Sequence, residues 1–454
     1  MIHDVVVIGA GPAGIFAALS LIKAGVRDII ILEKGDDIDD RVAAGKERNI
    51  LSGWGGAGAF SDGKLTISTE VGGFLGEKIS RDRLEALLKE ADRAYLEFGA
   101  PDQLFGIPDT RTAAIKQEAK RHNLVFVEMA VRHMGTENCP IILKKQREEI
   151  ARSADIRCCT RAGEIITSNG RAVGVLTSKG ERIEARYVIA APGRNGAKWM
   201  HAESARLGLH SVPSPVDIGV RVEVPAVVLE KLTDAAYETK LIYYTPTFDD
   251  KVRTFCMNPY GEVVMERADD LMTVNGHSWE KRRTDNTNFA ILVSTTFTEP
   301  FDDPLGYGHY IGRLANLLGK GVIVQRLGDL LDGRRTTEKR LARSIVAPTL
   351  ESATPGDLSF VLPYRHLKDI VEMLEALDKI APGLCSPHTL LYGVEVKFYS
   401  HRLKLSDILE SEIHNLFIIG DGAGITRGLI QASVSGIIAG REIAKRLLQT
   451  EDRL

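Results

Sequence analysis

An α/β fold with a second, mostly antiparallel sheet set into it is what this sequence predicts, and three observations carry the prediction. The stretch HDVVVIGAGPAGIFAALSLIKAG (3–25) reads as a buried strand, a glycine turn and a helix. A three-strand meander follows at 164–193, and short strands separated by turns fill 211–300. Near the other end, LFIIGDGAGITRGLIQASVSGIIAGREIAKRLL reads as one buried strand, a Gly/Asp loop and a long helix.

Length and composition bound the rest. The 454 residues suggest two or three domains, and 44% apolar with 26% charged residues is a soluble globular balance. A formal net charge of −3 gives no general attraction to polyanions, and 6% aromatic residues make a poor base-stacking platform. Nucleic acid is therefore not the expected partner. No signal peptide and no membrane-spanning apolar run is visible, so a cytoplasmic protein without integral membrane association is expected. Cys139, Cys158, Cys159, Cys256 and Cys385 are odd in number and lack metal-ligand spacing. No metal site is expected. Cys158 and Cys159 read as neighbours in a strand, pointing to opposite faces as ordinary thiols.

The elements follow in order. Val5 to Ile8 suits a strand buried on both faces, and 12–24 has helical apolar spacing ended by Gly25. A second apolar run, 28–32, is closed by Glu33, completing a βαβ unit. Helices are expected at 81–98, 113–122 and 141–153, with a strand at 124–131. Asn169-Gly170 is a strong hairpin signal in the meander and Lys179-Gly180 a weaker one. Helices return at 311–318 and 367–380. The expected organisation interleaves a ligand-binding domain in three parts (1–70, 121–200 and 391–454) with a helical insertion (71–120) and an inserted mixed α/β domain (201–390).

The first glycine cluster carries chemistry. Gly9 permits the tight turn, Gly11 lets backbone approach a pyrophosphate, and Gly14 lets helix and strand pack closely. With Ala10, Pro12 and Ala13 they frame a helix N-terminus that offers N–H groups to phosphates. Glu33, followed by Lys34, is suited to accept hydrogen bonds from both hydroxyls of an adenosine ribose. The expected ligand is a dinucleotide. Two features favour FAD over NAD: the meander, with Ala162 at its head and Pro192, Gly193 and Arg194 at its end, and the late loop. There Gly420 and Asp421 meet a ribityl chain, and the helix start at Gly428, Leu429 and Ile430 faces the flavin N1–C2 region.

Between them lies SGWGGAGAFSDGKL (52–65), which fits a P-loop up to Lys64. The eighth place needs a Mg²⁺-binding hydroxyl and holds Leu65, and the residues after it are β-like rather than helical. A linker is also excluded, because Trp54, Phe60 and Leu65 are costly to leave in water. The loop is expected to cross the cofactor instead, bringing Gly55, Gly56, Gly58, Ala59, Asp62, Gly63 and Lys64 to it.

Taken together, these motifs resemble the glutathione-reductase-type FAD-binding fold, in the subgroup with a βββ meander and a late Gly-Asp motif. More narrowly, SGWGGAGAFSDGKL, PGRNG, CMNPYGEVV, LYGVEVKFYS and GDGAGITRGLIQASVSG resemble bacterial and archaeal proteins called FAD-dependent dehydrogenases. The resemblance implies a Rossmann-like FAD-binding domain with three-layer ββα organisation, and redox chemistry.

The expected function is thus an FAD-dependent oxidoreductase exchanging hydride between flavin N5 and a small organic substrate. No second GxGxxG opens another βαβ unit, so NADH or NADPH is expected only as a transient electron donor. Alternatives left open are an NAD(P)H-driven C=C reductase of the polyprenyl type, a flavin-dependent RNA-modifying enzyme, and a flavin-bound redox sensor or scaffold without turnover. The catalytic candidates are Lys64, His277, Glu395, Lys397 and Arg427, with Arg334-Arg335 as a further carboxylate-binding pair. Strand alternation puts Tyr392 and Val394 on one face and Gly393, Glu395 and Lys397 on the other. Glu395 and Lys397 read either as an acid/base pair or as a surface ion pair.

Overall fold

Val5, Val6 and Val7 have no exposed surface, which is what a strand covered on both faces requires. The strand Ile2–Ile8 accordingly sits inside a seven-stranded sheet. The computed structural model describes residues 2–44, 52–61, 63–212, 214–268, 271–279, 282–297, 303–397 and 401–451. The chain divides into two compact units. One comprises Met1–Gln103, Arg132–Ser214 and Ser400–Leu454; the other comprises Leu104–Val131 and Pro215–Tyr399. The chain crosses after 103, 131, 214 and 399, where the sequence reading puts its divisions at 70, 120, 200 and 390.

In the first unit Ile2–Ile8 lies between Ile29–Leu32 and Arg182–Ala190, all parallel, with Asp155–Arg157 beyond Ile29–Leu32. Along its other edge Arg182–Ala190 has two successive neighbours. Arg171–Thr177 pairs antiparallel at its start, and Leu416–Ile418 pairs parallel at its end. Ala162–Ser168 completes the meander, and Asn169 and Gly170, at φ 50° and 73°, make the expected tight turn. The expected strand at 124–131 is two pieces, Val125–Val127 and Ala130–His133. Cys158 and Cys159 are not on a strand: Asp155–Arg157 ends before them, and Cys159 has φ 51°. They form a turn with Cys158 half-buried and Cys159 exposed.

Helix Pro12–Lys23 packs closely on Leu429–Glu451 because the contact is made of small residues. A side-chain carbon at Gly436 would stand 2.2 Å from the Ala13 carbonyl oxygen, and one at Gly440 2.7 Å from that of Ala17. Gly436→Val should therefore force the helices apart, costing about 3 kcal/mol. A thermal melt within a degree of wild type would contradict this close approach. No helix among the described residues is long and apolar enough to cross a membrane.

The second unit is built on an eight-stranded sheet. Its order is Thr354–Pro355, Ile323–Arg326, Leu390–Lys397, Val216–Pro225, Asn286–Thr295, Lys251–Asn258, Lys240–Tyr244, Val125–Val127. All neighbours are antiparallel except the first pair. Val216–Pro225 shows how the sheet is sided. Ile218, Val220, Val222 and Val224 enter an apolar core with Phe289, Ile291 and Val293 and with Ile370, Met373 and Leu374 of helix Tyr364–Asp378. Asp217, Arg221 and Glu223 take the opposite face, and they are buried as well.

The expected faces of 392–397 need correction. Gly219 pairs with Glu395 but Val220 pairs with Gly393, so the register slips by one residue at Val394. Val394 joins Leu391 and Val396 in the apolar core. Tyr392 lies on the other face, where its hydroxyl donates to Glu223 at 2.5 Å. Tyr392 thus shares a face with Glu395 and Lys397 rather than with Val394.

Candidate functional site

Four glycine-bearing segments of the first unit come together at the start of helix Pro12–Lys23. Gly9, at φ 100°, turns the chain so tightly that a side-chain carbon there would lie 2.2 Å from the Ala191 oxygen. Gly14 is closed off in the same way, 2.0 Å from the Gly9 oxygen. Gly11, between them, has nothing within 4 Å in that direction. It caps the helix with extended backbone and no side-chain hydrogen bond, leaving the first N–H groups directed outward. Ala10 and Ala13 are buried and Pro12 occupies the first helical turn.

Glu33 closes the strand Ile29–Leu32 and is 6% exposed. Its carboxylate accepts backbone N–H bonds from Ala10, Gly35 and Gly53, each at 2.9 Å. Three of its roughly four lone-pair sites are therefore engaged. One remains for a ribose hydroxyl, where the sequence reading assigned it both. Lys34 beside it donates to the Asn195 carbonyl at 3.1 Å, and the Asn195 amide donates to the Ser52 hydroxyl at 2.6 Å. The Thr160 N–H donates to the Glu33 carbonyl, tying the approach to Ala162 and the meander to the same corner.

The Gly-rich loop is folded against this corner. Gly55 donates its N–H to the Ala10 oxygen at 2.7 Å, and a side-chain carbon on Gly56 would lie 3.3 Å from the Gly11 Cα. Gly58 faces Leu429 (2.8 Å by the same measure), and Ala59 is fully buried. Trp54 is fully buried too, its indole N–H bonded to the Leu143 oxygen at 3.0 Å. Arg41 holds the loop from beneath through the oxygens of Trp54 (2.6 Å) and Gly56 (3.0 Å). Burial pushes its pKa down to about 10 despite the nearby Glu33 and Asp36 carboxylates. Gly63 packs on Cys139 and Met134, and Lys64 begins a strand, Lys64–Ile67, not the helix that a P-loop requires. Asp62 lies outside the described residues.

The remaining segments close the other side. A side-chain carbon on Gly422 would meet Pro192 at 2.7 Å, and one on Gly420 (φ 75°) would meet Ala13 at 2.9 Å. The Asp421 carboxylate accepts from Thr426 Oγ1 at 2.7 Å and lies 3.7 Å from Arg194. Burial raises its pKa, only partly offset by those two groups. Gly193 (φ 63°) and Gly428 (φ 120°) both have open space where a side chain would stand. Leu429 is half-buried and Ile430 buried at the start of the last helix. Arg427 stacks on Phe74, 4.9 Å from the ring centroid.

The open positions Gly11, Gly193 and Gly428, beside glycines that are sterically filled, outline a backbone-lined cradle that a dinucleotide fits. Sequence reading missed Arg41, Gly53 and Asn195 as supports of this cradle. Gly53 stood inside the quoted loop, but nothing marked Arg41 apart from other charged residues of its stretch.

The other catalytic candidates lie in the second unit. Glu395 is not at the surface: it takes a two-pronged ion pair from Arg221 (2.8 and 2.9 Å) and a contact from Lys397 at 3.0 Å. Arg221 and Glu395 are both fully buried. Burial opposes the Glu395 charge, but Arg221 and Lys397 outweigh it and hold its pKa below the ordinary carboxylate value. His277 ends the strand Leu271–His277, half-buried and 6.4 Å from the Trp279 ring. Arg334 is bound to Asp329 (3.0 Å) and Asp332 (2.7 Å), and Arg335 offers its carbonyl to Arg340.

Comparison with known proteins bears on this site. A family of FAD-dependent proteins, C-terminal domain-like, matches residues 215–398. An uncharacterized protein of Clostridium beijerinckii is 29% identical over 481 residues, covering 97% of this chain and 80% of its own. Among solved structures, the chain is similar to a 3-ketosteroid-delta4-(5alpha)-dehydrogenase from Rhodococcus jostii at 16% identity and a TM-score of 0.44, covering 97% of this chain and 96% of that one. It is also similar to PqsL from P. aeruginosa at 12% identity and a TM-score of 0.41, covering 100% and 88%. The model of the FAD dependent oxidoreductases matches residues 4–294. That is more than half of its length, and the chain belongs to the FAD dependent oxidoreductases.

Proposed function

We propose that this oxidoreductase exchanges hydride between its FAD and a small organic substrate, with NADH or NADPH as a transient donor when the substrate is to be reduced. The observation that carries the reading is the meeting of four segments around Gly11, Gly193 and Gly428, each open where its neighbours are filled. Bound FAD supplies a two-electron centre that takes or gives hydride. The protein's part is to hold it. The N–H groups around Gly11, Ala13 and Gly14 receive the pyrophosphate, and Glu33 receives a ribose hydroxyl. Asp421 receives a ribityl hydroxyl, and the helix start at Gly428, Leu429 and Ile430 places its positive dipole end toward the flavin ring. The meander and the late Gly-Asp loop favour the glutathione-reductase-type subgroup. Five free thiols support a reducing, cytoplasmic setting.

The purified protein is expected to be yellow, with absorbance near about 450 nm, and to bleach anaerobically on mixing with its reductant. NADH, NADPH and a panel of small metabolites are the reductants to test. Bleaching by a nicotinamide, with reoxidation by an isoprenoid alkene, would redirect the reading to a C=C reductase. Stable flavin that nothing reduces or reoxidises within a catalytic timescale would sink the enzymatic reading.

A further inference from the structure

One face of the second unit's sheet carries more cationic than anionic side chains, and the register places them together. Leu241 and Val252 enter the apolar core, so Lys240, Arg253 and Phe255 point to the opposite face, with Ile242 paired directly to Arg253. That is the face of Asp217, Arg221, Glu395 and Lys397. Asp217 accepts from Arg253 at 2.5 Å and from Ser294 at 2.6 Å, while Arg221 and Lys397 share Glu395. Glu223 shares this face and accepts from the Tyr392 hydroxyl, so Arg221, Arg253 and Lys397 are matched by Asp217, Glu223 and Glu395, and Lys240 is the cation left over. The Lys240 side chain makes no hydrogen bond or ion pair among the described residues, while its backbone pairs with Val127.

The aromatic ring at the middle of this group is flanked by charge. Arg253 lies 4.7 Å and Lys397 5.7 Å from the Phe255 ring centroid, and Phe255 is half-buried. Fully apolar Leu292 and Ala290 lie on the strand beside it. Lys240 is half-buried near Arg253 with the Glu238 and Asp217 carboxylates near it but in no ion pair with it, and an anion in direct contact would lower the cost of its burial. We propose that Lys240, Arg253 and Lys397 bind the carboxylate of an organic anion whose unsaturated or apolar body lies on Phe255, and that this anion is the substrate class of the enzyme. The inference rests on the flavin-oxidoreductase reading only for the word substrate; the anion site stands on the second unit alone.

Burial is the main reason that the Lys240 ammonium is pushed down to about 7. Arg253 and Lys251 add to the shift, while Glu238 and Asp217 oppose it. Lys240 is charged below that value and neutral above it, so anion affinity is highest below about pH 7 and falls as pH rises through it.

The test is calorimetry on the protein as purified, with its flavin content read from the same sample. Acetate, crotonate, sorbate, benzoate and phenylacetate are titrated against their amides. At least one carboxylate should bind with a Kd under about 10 mM, at least tenfold tighter than its amide. Lys240→Met should weaken it tenfold or more and flatten the pH dependence, while Lys240→Arg should retain binding at pH 8. Because the Lys240 side chain makes no bond and its charge is desolvated, Lys240→Met should melt no lower than wild type, so a loss of binding in it is not a loss of fold. The proposal is overturned if no carboxylate binds, if the amides bind equally, or if Lys240→Met binds as wild type does. Flavin-free protein that still binds the carboxylate through Lys240 would uphold the site and count against the oxidoreductase reading instead.

Discussion

Gly11→Val is expected to give a folded protein that no longer holds FAD. Gly11 has ordinary extended backbone, φ −80° and ψ −178°, which valine adopts without strain. Its side-chain direction meets nothing within 4 Å, so the isopropyl group displaces no protein atom. It stands instead where the pyrophosphate backbone contact must form. Loss of that contact should raise the Kd for FAD at least about a hundredfold, near 2.7 kcal/mol. The flavin-to-protein absorbance ratio reads the loss, and the far-UV circular dichroism melt should match that of stripped wild-type protein. Gly9→Val is the contrast: its φ of 100° and the 2.2 Å approach to Ala191 predict misfolding, not a clean apoprotein. Full flavin occupancy in Gly11→Val would contradict the cradle.

Glu395→Ala should be among the most damaging single substitutions in the second unit. It leaves the Arg221 guanidinium fully buried, with Asn288 (2.8 Å) and the Cys256 carbonyl (3.1 Å) as its closest remaining acceptors. Breaking a buried pair on one side costs about 3–5 kcal/mol, because the other charge stays without water. Arg221→Met with Glu395→Leu should recover part of the loss, since the fully buried pair is gone and only Lys397, 13% exposed, is left to be solvated. The pH dependence has a definite sign. Glu395 has a folded pKa below its unfolded value, so its contribution is complete above about pH 4.3. It is lost as pH falls through the folded pKa. Thermal melts of wild type and the double variant should therefore converge in acid; a constant gap down to pH 3 would contradict the assignment.

The sequence made the first unit legible because its glycines punctuate apolar runs of distinct length. The run of Val5 to Ile8, the turn at Asn169-Gly170 and the last long helix all follow from local pattern. What it hid is set by tertiary pairing. The slip at Val394 leaves no trace in LLYGVEVK, because strict alternation and alternation broken by one residue read alike there. Glu33 reads as a ribose ligand, and its three backbone partners come from residues 10, 35 and 53, which no periodicity links. The polar face of the second sheet did leave a signal. In DIGVRVEVP, Asp217, Arg221 and Glu223 recur at even spacing opposite a run of buried aliphatics, and buried polar residues at that period mark a face with a task.

The close crossing of Pro12–Lys23 with Leu429–Glu451 has a consequence for synthesis. The cradle needs Gly11, from the first strand–helix turn, and Gly428, more than four hundred positions later. A ribosome making this chain at about 5–20 residues per second must therefore produce the whole second unit before the cradle can close. With FAD held as proposed, flavin loading is expected to follow synthesis of the last helix. Until Leu429–Glu451 is made, the small-residue face of Pro12–Lys23 has no partner helix, and chains truncated before residue 429 should have a protease-sensitive first unit whether or not flavin is present.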